Sequence, residues 1–125
     1  MGQVGIKGPF EIPYAEGTWV TVLNAFVVVG AVNVYTRYKI IGNVLFFHVD
    51  IHGVAGGDTS ACTAGVSNID LPLDHLPFWN SAACWAADVG TDLSFGAGII
   101  RGTVASPPTW AATHRVIVSG YYFLG

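Results

Sequence analysis

Three side chains able to bind a metal ion alternate along one stretch of the chain. His48, Asp50 and His52 would share one face of a β-strand, because successive side chains of a strand point to opposite faces. Neighbours on that face lie about 6.8 Å apart, which is wide for two ligands of one tetrahedral ion. The spacing favours a polar strand end over a metal site, unless three copies of one histidine meet on a threefold axis. We expect neither a metal ion nor another cofactor.

Catalytic carboxylates are a second possibility. Asp70 and Asp74 flank a Leu-Pro corner, and two acids in one loop could form a glycosidase pair. Such pairs need separations of about 5 to 9.5 Å across a cleft, which sequence spacing does not give. The chain also lacks the Gly-x-Ser-x-Gly and His-Glu-x-x-His patterns of common hydrolases. We therefore expect solvated loop acids and a protein that is not an enzyme.

Aromatic residues in predicted loops are the main candidates for ligand binding. Trp79 and Trp110 both lie near prolines, in stretches that interrupt strands. Loop aromatics suit stacking on sugars or docking of proteins, although each could instead cap the end of the fold or fill a groove between subunits. His114 and Arg115 follow Trp110 and could complete a polar and aromatic patch. These four residues are the predicted ligand-binding residues.

The elements that must position these residues are strands. Valine, threonine and aromatic residues dominate from Thr18 onward, and helical spacing of apolar residues is absent nearly everywhere. After the turn pair Gly42-Asn43, alternate apolar side chains from Leu45 to Ile51 predict one buried face. Turn signals divide the chain into nine short strands, as in a sandwich or jelly roll. The predicted strands are 18–23, 25–29, 32–40, 44–52, 61–69, 82–88, 92–95, 99–104 and 114–124.

Residues 1–17 differ from the rest of the chain. Glycine and proline recur every few positions there and interrupt both helix and strand. We predict an extended N-terminal arm over 1–17, followed by a single antiparallel β-sandwich, jelly-roll-like, over 18–125. Arms of this type usually attach to a neighbouring molecule through their larger apolar side chains. Here these side chains are Ile6, Phe10, Ile12 and Tyr14.

Charged residues are scarce. Only 10% of the 125 residues are Asp, Glu, Lys or Arg, against about 25% in a typical domain, whereas 52% are apolar. A monomer of this composition would expose more apolar surface than soluble monomers usually do. We therefore expect a homo-oligomer whose copies bury one another's apolar surfaces.

The same composition argues against several partners. Five basic and eight acidic residues, a net charge of −3, provide no cluster of cations for nucleic acid. The longest apolar run, 25–32, contains Gly30 and is far shorter than the roughly 20 residues of a membrane-spanning helix. We expect neither nucleic-acid binding nor membrane insertion. Cys62 and Cys84 have no C-x-x-C spacing, and we expect both to be small buried apolar residues.

Four short segments, in order, resemble a recurring bacteriophage module. They are Ala15-Glu16-Gly17-Thr18-Trp19, Tyr38-Lys39-Ile40-Ile41-Gly42-Asn43-Val44, Ile69-Asp70-Leu71-Pro72-Leu73 and Ile117-Val118-Ser119-Gly120-Tyr121. The module is the small β-sandwich at the C-terminal end of phage tail fibres, tailspikes and related virion proteins. The match spans roughly residues 15 to 124. Two departures are Val20-Thr21, where the family usually has Thr-Pro, and the extra Ile41 before the Gly-Asn turn.

The resemblance implies a trimeric, jelly-roll-like domain on the outside of a virion. It favours recognition of a host-surface glycan, as in the head of a fibre. Family members usually follow a long shaft, and the expected lack of one before Ala15 favours decoration of the capsid or tail instead. In both cases the arm would attach to another virion protein. A stand-alone lectin-like binding module is the third possibility.

Overall fold

The strands account for most of the backbone that the structure describes. A computed structural model describes residues 12–54, 61–63, 65–77, 83–88 and 96–124, with the backbone alone at 83–88 and 96–97. These residues form nine β-strands and no helix. The strands are β1 (Tyr14–Gly17), β2 (Leu23–Asn24), β3 (Val32–Ile41), β4 (Val44–Gly53), β5 (Asn68–Asp70), β6 (Ala83–Asp88), β7 (Gly96–Arg101), β8 (Val104–Ser106) and β9 (Arg115–Phe123).

All described strand pairs are antiparallel, in the order β1-β3-β4-β9-β6-β7-β8-β5-β2. In a flat sheet, β1 and β2 would lie about 38 Å apart. Residues 18–22, which connect them, can reach only about 21 Å. The sheet must therefore fold over. Its hydrogen bonding is continuous through β7, where Ile99 pairs with both Ala83 of β6 and Ser106 of β8. The predicted all-β fold with two antiparallel layers is confirmed.

The core lies between these layers and follows from alternation along the strands. Leu45, Phe47, Val49 and Ile51, the predicted inner face of β4, are each at most 3% exposed. Burying an aliphatic or phenyl side chain of this size stabilises the fold by about 1.5 to 3 kcal/mol. Residues from both layers belong to one buried cluster. Its members with no exposed surface are Leu45, Val49, Ile51, Ile69, Leu71, Ala105, Val118 and Tyr122.

Trp19 connects the two layers. Its indole Nε1 donates a hydrogen bond of 2.7 Å to the carbonyl oxygen of Asp70 in β5. Its backbone N–H donates to Thr36 Oγ1 in β3 at 3.0 Å, and the Thr36 hydroxyl donates back to the Trp19 carbonyl oxygen. The ring also packs against Tyr38 and Phe47. Because Thr36 takes these backbone bonds, Trp19 lies outside any strand, although the sequence predicted one over 18–23.

Tyr122 makes a second connection, to the segment that follows β5. Its hydroxyl donates a hydrogen bond of 2.6 Å to the carbonyl oxygen of His75, and the His75 ring packs against Tyr38. Burial, and secondarily the nearby Tyr38, raise the pKa of the Tyr122 phenol. The phenol therefore remains a hydrogen-bond donor at ordinary pH.

The long predicted strands form, whereas several short ones do not. β3, β4, β6 and β9 match the predictions within two residues. A positive φ angle at Ala25 (59°) interrupts the predicted strand 25–29, which is reduced to an isolated Val27–Ala61 bridge. A positive φ angle at Gly65 (82°) interrupts the predicted strand 61–69, and only the short β5 forms near its end. Gly102, at φ 56°, divides predicted strand 99–104 into β7 and β8. The predicted strand over 92–95 lies outside the described residues.

The N-terminal boundary also differs from the prediction of an arm over 1–17. Tyr14–Gly17 forms β1, an edge strand paired with β3, and the Gly42 N–H donates to the Pro13 carbonyl oxygen at 2.8 Å. Gly17 lies directly against the Tyr38 ring, because a Cβ at this position would be 2.7 Å from the Tyr38 hydroxyl. Residues 14–17 therefore belong to the folded unit. Residues 1–11 lie outside the described part of the chain.

Replacing Trp19 by phenylalanine should destabilise the protein by about 1 to 3 kcal/mol, because the bond to Asp70 is lost and packing volume is vacated. Urea unfolding followed by circular dichroism measures the change. Val66→Thr, at an exposed turn, is the control and should change stability by at most about 0.5 kcal/mol. Equal stability of Trp19→Phe and the wild type would contradict the layer-joining role.

Cys62 should be chemically inert in the folded protein. It is buried, and burial raises its pKa to about 11, although a hydrogen bond with Ser67 acts in the opposite direction. In a Cys84→Ser variant, a thiol reagent at about pH 8 should label Cys62 only after denaturant is added. Since the pKa of Cys62 in the folded protein exceeds the ordinary thiol value of 9.0, stability should also decrease as pH rises from about 9 towards 11. Rapid labelling of the native protein would show that the thiol is accessible.

Candidate functional site

The outer face of β3, β4 and β9 presents polar and aromatic side chains in rows. Strand register sets these rows, because residues opposite one another on antiparallel strands point to the same face. Two adjacent rows are Arg37-His48-Ser119 and Lys39-Phe46-Tyr121. His48 Nδ1 lies 3.1 Å from Ser119 Oγ, a hydrogen bond across the two strands.

These rows line an open groove of about 400 Å³. Its side-chain lining consists mainly of Arg37, Lys39, Phe46, His48 and Ser119. Within the described part of the chain, neither Arg37 nor Lys39 is in an ion pair. Glu16 is the register partner of Lys39, and its carboxylate accepts a hydrogen bond from Tyr14.

One end of the groove continues into an aromatic cluster. Phe46 packs against Tyr121 and Tyr121 against Phe123, each pair with ring centroids 6.3 Å apart. Phe46 is 46% exposed and Phe123 is 41% exposed, so two of these three rings retain much contact with solvent.

The other end of the same face is polar. The Arg115 guanidinium binds Asp50 through two nitrogens, with Nη2 to Oδ2 at 2.5 Å and Nε to Oδ1 at 3.0 Å. This hydrogen bonding, and then the charge of Asp50, raise the pKa of Arg115. The His52 and His114 rings meet edge to face, with centroids 4.9 Å apart. The Asp50 carboxylate is thus bound by Arg115 and does not pair with the groove cations Arg37 and Lys39.

The predicted ligand-binding residues lie at different places. Trp110 packs against Phe26 and the core, and its backbone pairs with Cys62, so it has a structural role. His114 and Arg115 contact His52 and Asp50 at the polar end of the outer face. Trp79 lies outside the described residues. Trp85 is in β6 opposite Ser119, where the backbone alone is described.

The predicted arm residues also divide. Ile6 and Phe10 lie outside the described residues. Ile12 is 39% exposed and lies beside Gly42, and Tyr14 is in β1 as the register partner of Ile41. These two therefore contact their own chain.

The candidates for metal binding and catalysis have other partners. Of the possible metal ligands, His48 bonds to Ser119 and Asp50 to Arg115. Among the described residues, no group of three histidine, cysteine or acidic side chains is placed to hold a metal ion. Asp70 accepts a hydrogen bond from Asn24 Nδ2 at 3.2 Å, and Asp74 is exposed in the following turn.

A second exposed surface lies around the edge strand β2. It is a valine strip, made of residues that precede and follow β2 and are all at least 42% exposed; Val20 and Val27 reach 89% and 67%. Its members are Val20, Val22, Val27, Val28 and Val29. The sequence prediction assigned these residues to two strands and did not identify them as a surface.

The groove residues other than His48 were not predicted, although part of the signal was present. A two-residue turn at Gly42-Asn43 fixes the β3–β4 register and places Arg37 opposite His48. Ser119 is 71 residues away from its partner His48, so its contribution depends on the tertiary fold.

Comparisons of the chain with models of protein families, with curated proteins and with solved structures find no match. In the part of the chain that the structure describes, there is no helix with the length and apolar character needed to cross a bilayer.

The Asp50–Arg115 pair should be detectable in solution. The Arg115 Nε–H is held by Asp50 Oδ1, so its proton should exchange slowly and give a distinct ¹H–¹⁵N signal. Asp50→Asn should broaden or remove this signal, because the amide cannot reproduce the two-point carboxylate contact. Asp74→Asn, at an exposed acid, should leave it unchanged. An unaltered Arg115 signal in Asp50→Asn would contradict the pairing.

Proposed function

We propose that this chain is a non-enzymatic structural module of a tailed-phage virion, displayed as a jelly-roll-like homotrimer that contacts the host surface. In this proposal the valine strip joins copies of the chain, and the groove on the outer face remains open to a ligand. The N-terminal segment attaches the module to another virion protein. The proposed location is the virion, after assembly in the host cytoplasm.

The observation that supports the viral assignment most directly is that the first of the four resembling segments contacts the second and the third, and that the fourth lies in the same sheet. Gly17 of the first lies against Tyr38 of the second. Trp19 of the first bonds to Asp70 of the third. The fourth segment lies in β9 and pairs with residues 46–50 of β4, which follow the second segment along the chain. Segments that pack against one another are expected to occur together in related proteins. Their joint presence is therefore more informative than four separate short matches.

Self-association is supported by the valine strip and the composition together. Charged residues make up 10% of the chain, and five exposed valines lie within ten residues of one another. Exposed apolar side chains in this number are candidates for burial in a protein interface. A second copy of the chain is the partner always present at equal concentration.

Host recognition is favoured over decoration by the open groove. A decoration protein needs only surfaces that fit the particle. The groove instead presents an aromatic ring, a His–Ser hydrogen bond and two cations that form no ion pair with any residue the structure describes. Decoration is the second candidate, because the valine strip could equally bind the particle. A stand-alone lectin-like module is the third.

Light scattering after gel filtration should give a mass three times the 13.2 kDa of one chain. A Val22→Ser/Val28→Ser variant should shift the protein to the monomer, because polar side chains there reduce the apolar surface buried on association. Leu73→Ser, at a side chain 77% exposed outside the strip, is the matched control and should remain trimeric. A monomeric wild type at micromolar concentration would refute the assembly.

Adsorption experiments separate the candidate functions. The purified module should bind host cells and reduce adsorption of the phage that encodes it. If it instead occupies regular capsid positions and has no effect on adsorption, decoration is correct. If deletion of residues 2–13 leaves all binding and incorporation unchanged, the lectin-like alternative is favoured.

A further inference from the structure

We propose that the groove on the outer face of β3, β4 and β9 binds an anionic saccharide, with its acidic group at Arg37 and Lys39 and a sugar ring on Phe46. The inference names the ligand class for the recognition function proposed above, and it rests on that function for the ligand's biological source. The site itself depends only on the geometry of one chain.

The charge of the groove indicates an anionic ligand. Arg37 and Lys39 are both exposed on β3, two positions apart on the same face, and no ion pair of either occurs among the described residues. The acid closest in register to His48 is Asp50, which is bound by Arg115. Glu16 opposite Lys39 reduces the positive charge at that end, so Arg37 is the stronger anchor. Guanidinium groups bind carboxylates and phosphates through two parallel hydrogen bonds.

The aromatic wall indicates a ring rather than a bare ion. Phe46 is 46% exposed, and its contact with Tyr121 fixes the ring's position beside Lys39. Aromatic side chains provide a flat apolar surface for the C–H face of a sugar. An inorganic anion would gain nothing from this surface.

The remaining lining supplies hydroxyl recognition. His48 and Ser119 already bond to each other, which positions an imidazole and a hydroxyl next to Arg37 in one row. Together they offer both donors and acceptors, the combination that sugar hydroxyls require. The groove volume of about 400 Å³ lies within the range of small-ligand sites.

Calorimetric titration of the full chain tests the proposal with matched probes. Tetragalacturonate carries a carboxylate on each ring, and its methyl ester is neutral with the same rings. A phosphorylated mannan oligosaccharide distinguishes a phosphate ligand from a carboxylate ligand. At least one charged oligosaccharide should bind, and the ester should bind at least about tenfold more weakly than tetragalacturonate if carboxylate is the preferred group. Inorganic phosphate alone should compete weakly, because it cannot stack on Phe46.

Three variants and one control locate the site. Arg37→Gln should weaken binding of the preferred oligosaccharide at least about tenfold, and Lys39→Gln and Phe46→Leu should each weaken it about three- to tenfold. Arg101→Gln removes an exposed cation outside the groove and should change affinity less than about twofold. Circular dichroism confirms that each variant is folded.

The results separate this inference from the proposed function. Three results would overturn the groove as the site. They are failure of both charged oligosaccharides to bind, binding of the ester as tight as that of the preferred charged oligosaccharide, and equal losses for Arg37→Gln and Arg101→Gln. Light scattering on the same samples reports assembly independently. A monomer that binds through Arg37 would support the saccharide site and refute the trimer. A trimer that binds neither charged oligosaccharide would refute the saccharide site alone.

Discussion

The fold depends on the junction that Trp19 makes between its two layers. The strands at the two ends of the order, β1 and β2, are separated by only five residues of chain, and Trp19 is in that connection. Its bonds to Thr36 of β3 and Asp70 of β5 hold the two edges of the folded sheet together. Closure at this point buries one face of β3, β4 and β9 and leaves the opposite face in solvent.

Several residues of the resembling segments have structural roles at this junction. Gly17 makes room for the Tyr38 ring, Tyr38 packs on Trp19 and His75, and His75 accepts the hydrogen bond of the buried Tyr122. None of these contacts selects a ligand. The surfaces proposed for assembly and recognition are the valine strip and the outer groove. The groove includes Lys39 of the second segment and Ser119 of the fourth, which lie on the face opposite the junction.

The sequence was sufficient to predict what local alternation determines. The inner face from Leu45 to Ile51 and the turn at Gly42 follow from short-range patterns, and both are as expected. β1 was missed because Pro13 and Gly17 are also typical of an extended arm. The groove was missed because it needs β9 beside β4, a pairing between segments about seventy residues apart. The contact of Trp110 with Phe26 could not be predicted either, because nothing local in the sequence indicates it.

The central claim is that assembly and ligand binding use separate surfaces of one closed sandwich. Amide hydrogen exchange, measured above and below the concentration at which copies associate, tests it most directly. On association, protection should increase over Val20–Val29, and the outer-face residues of β3 from Arg37 to Lys39 should be unchanged. Increased protection at β3 with none in the valine strip would contradict the account, because copies would then associate through the groove.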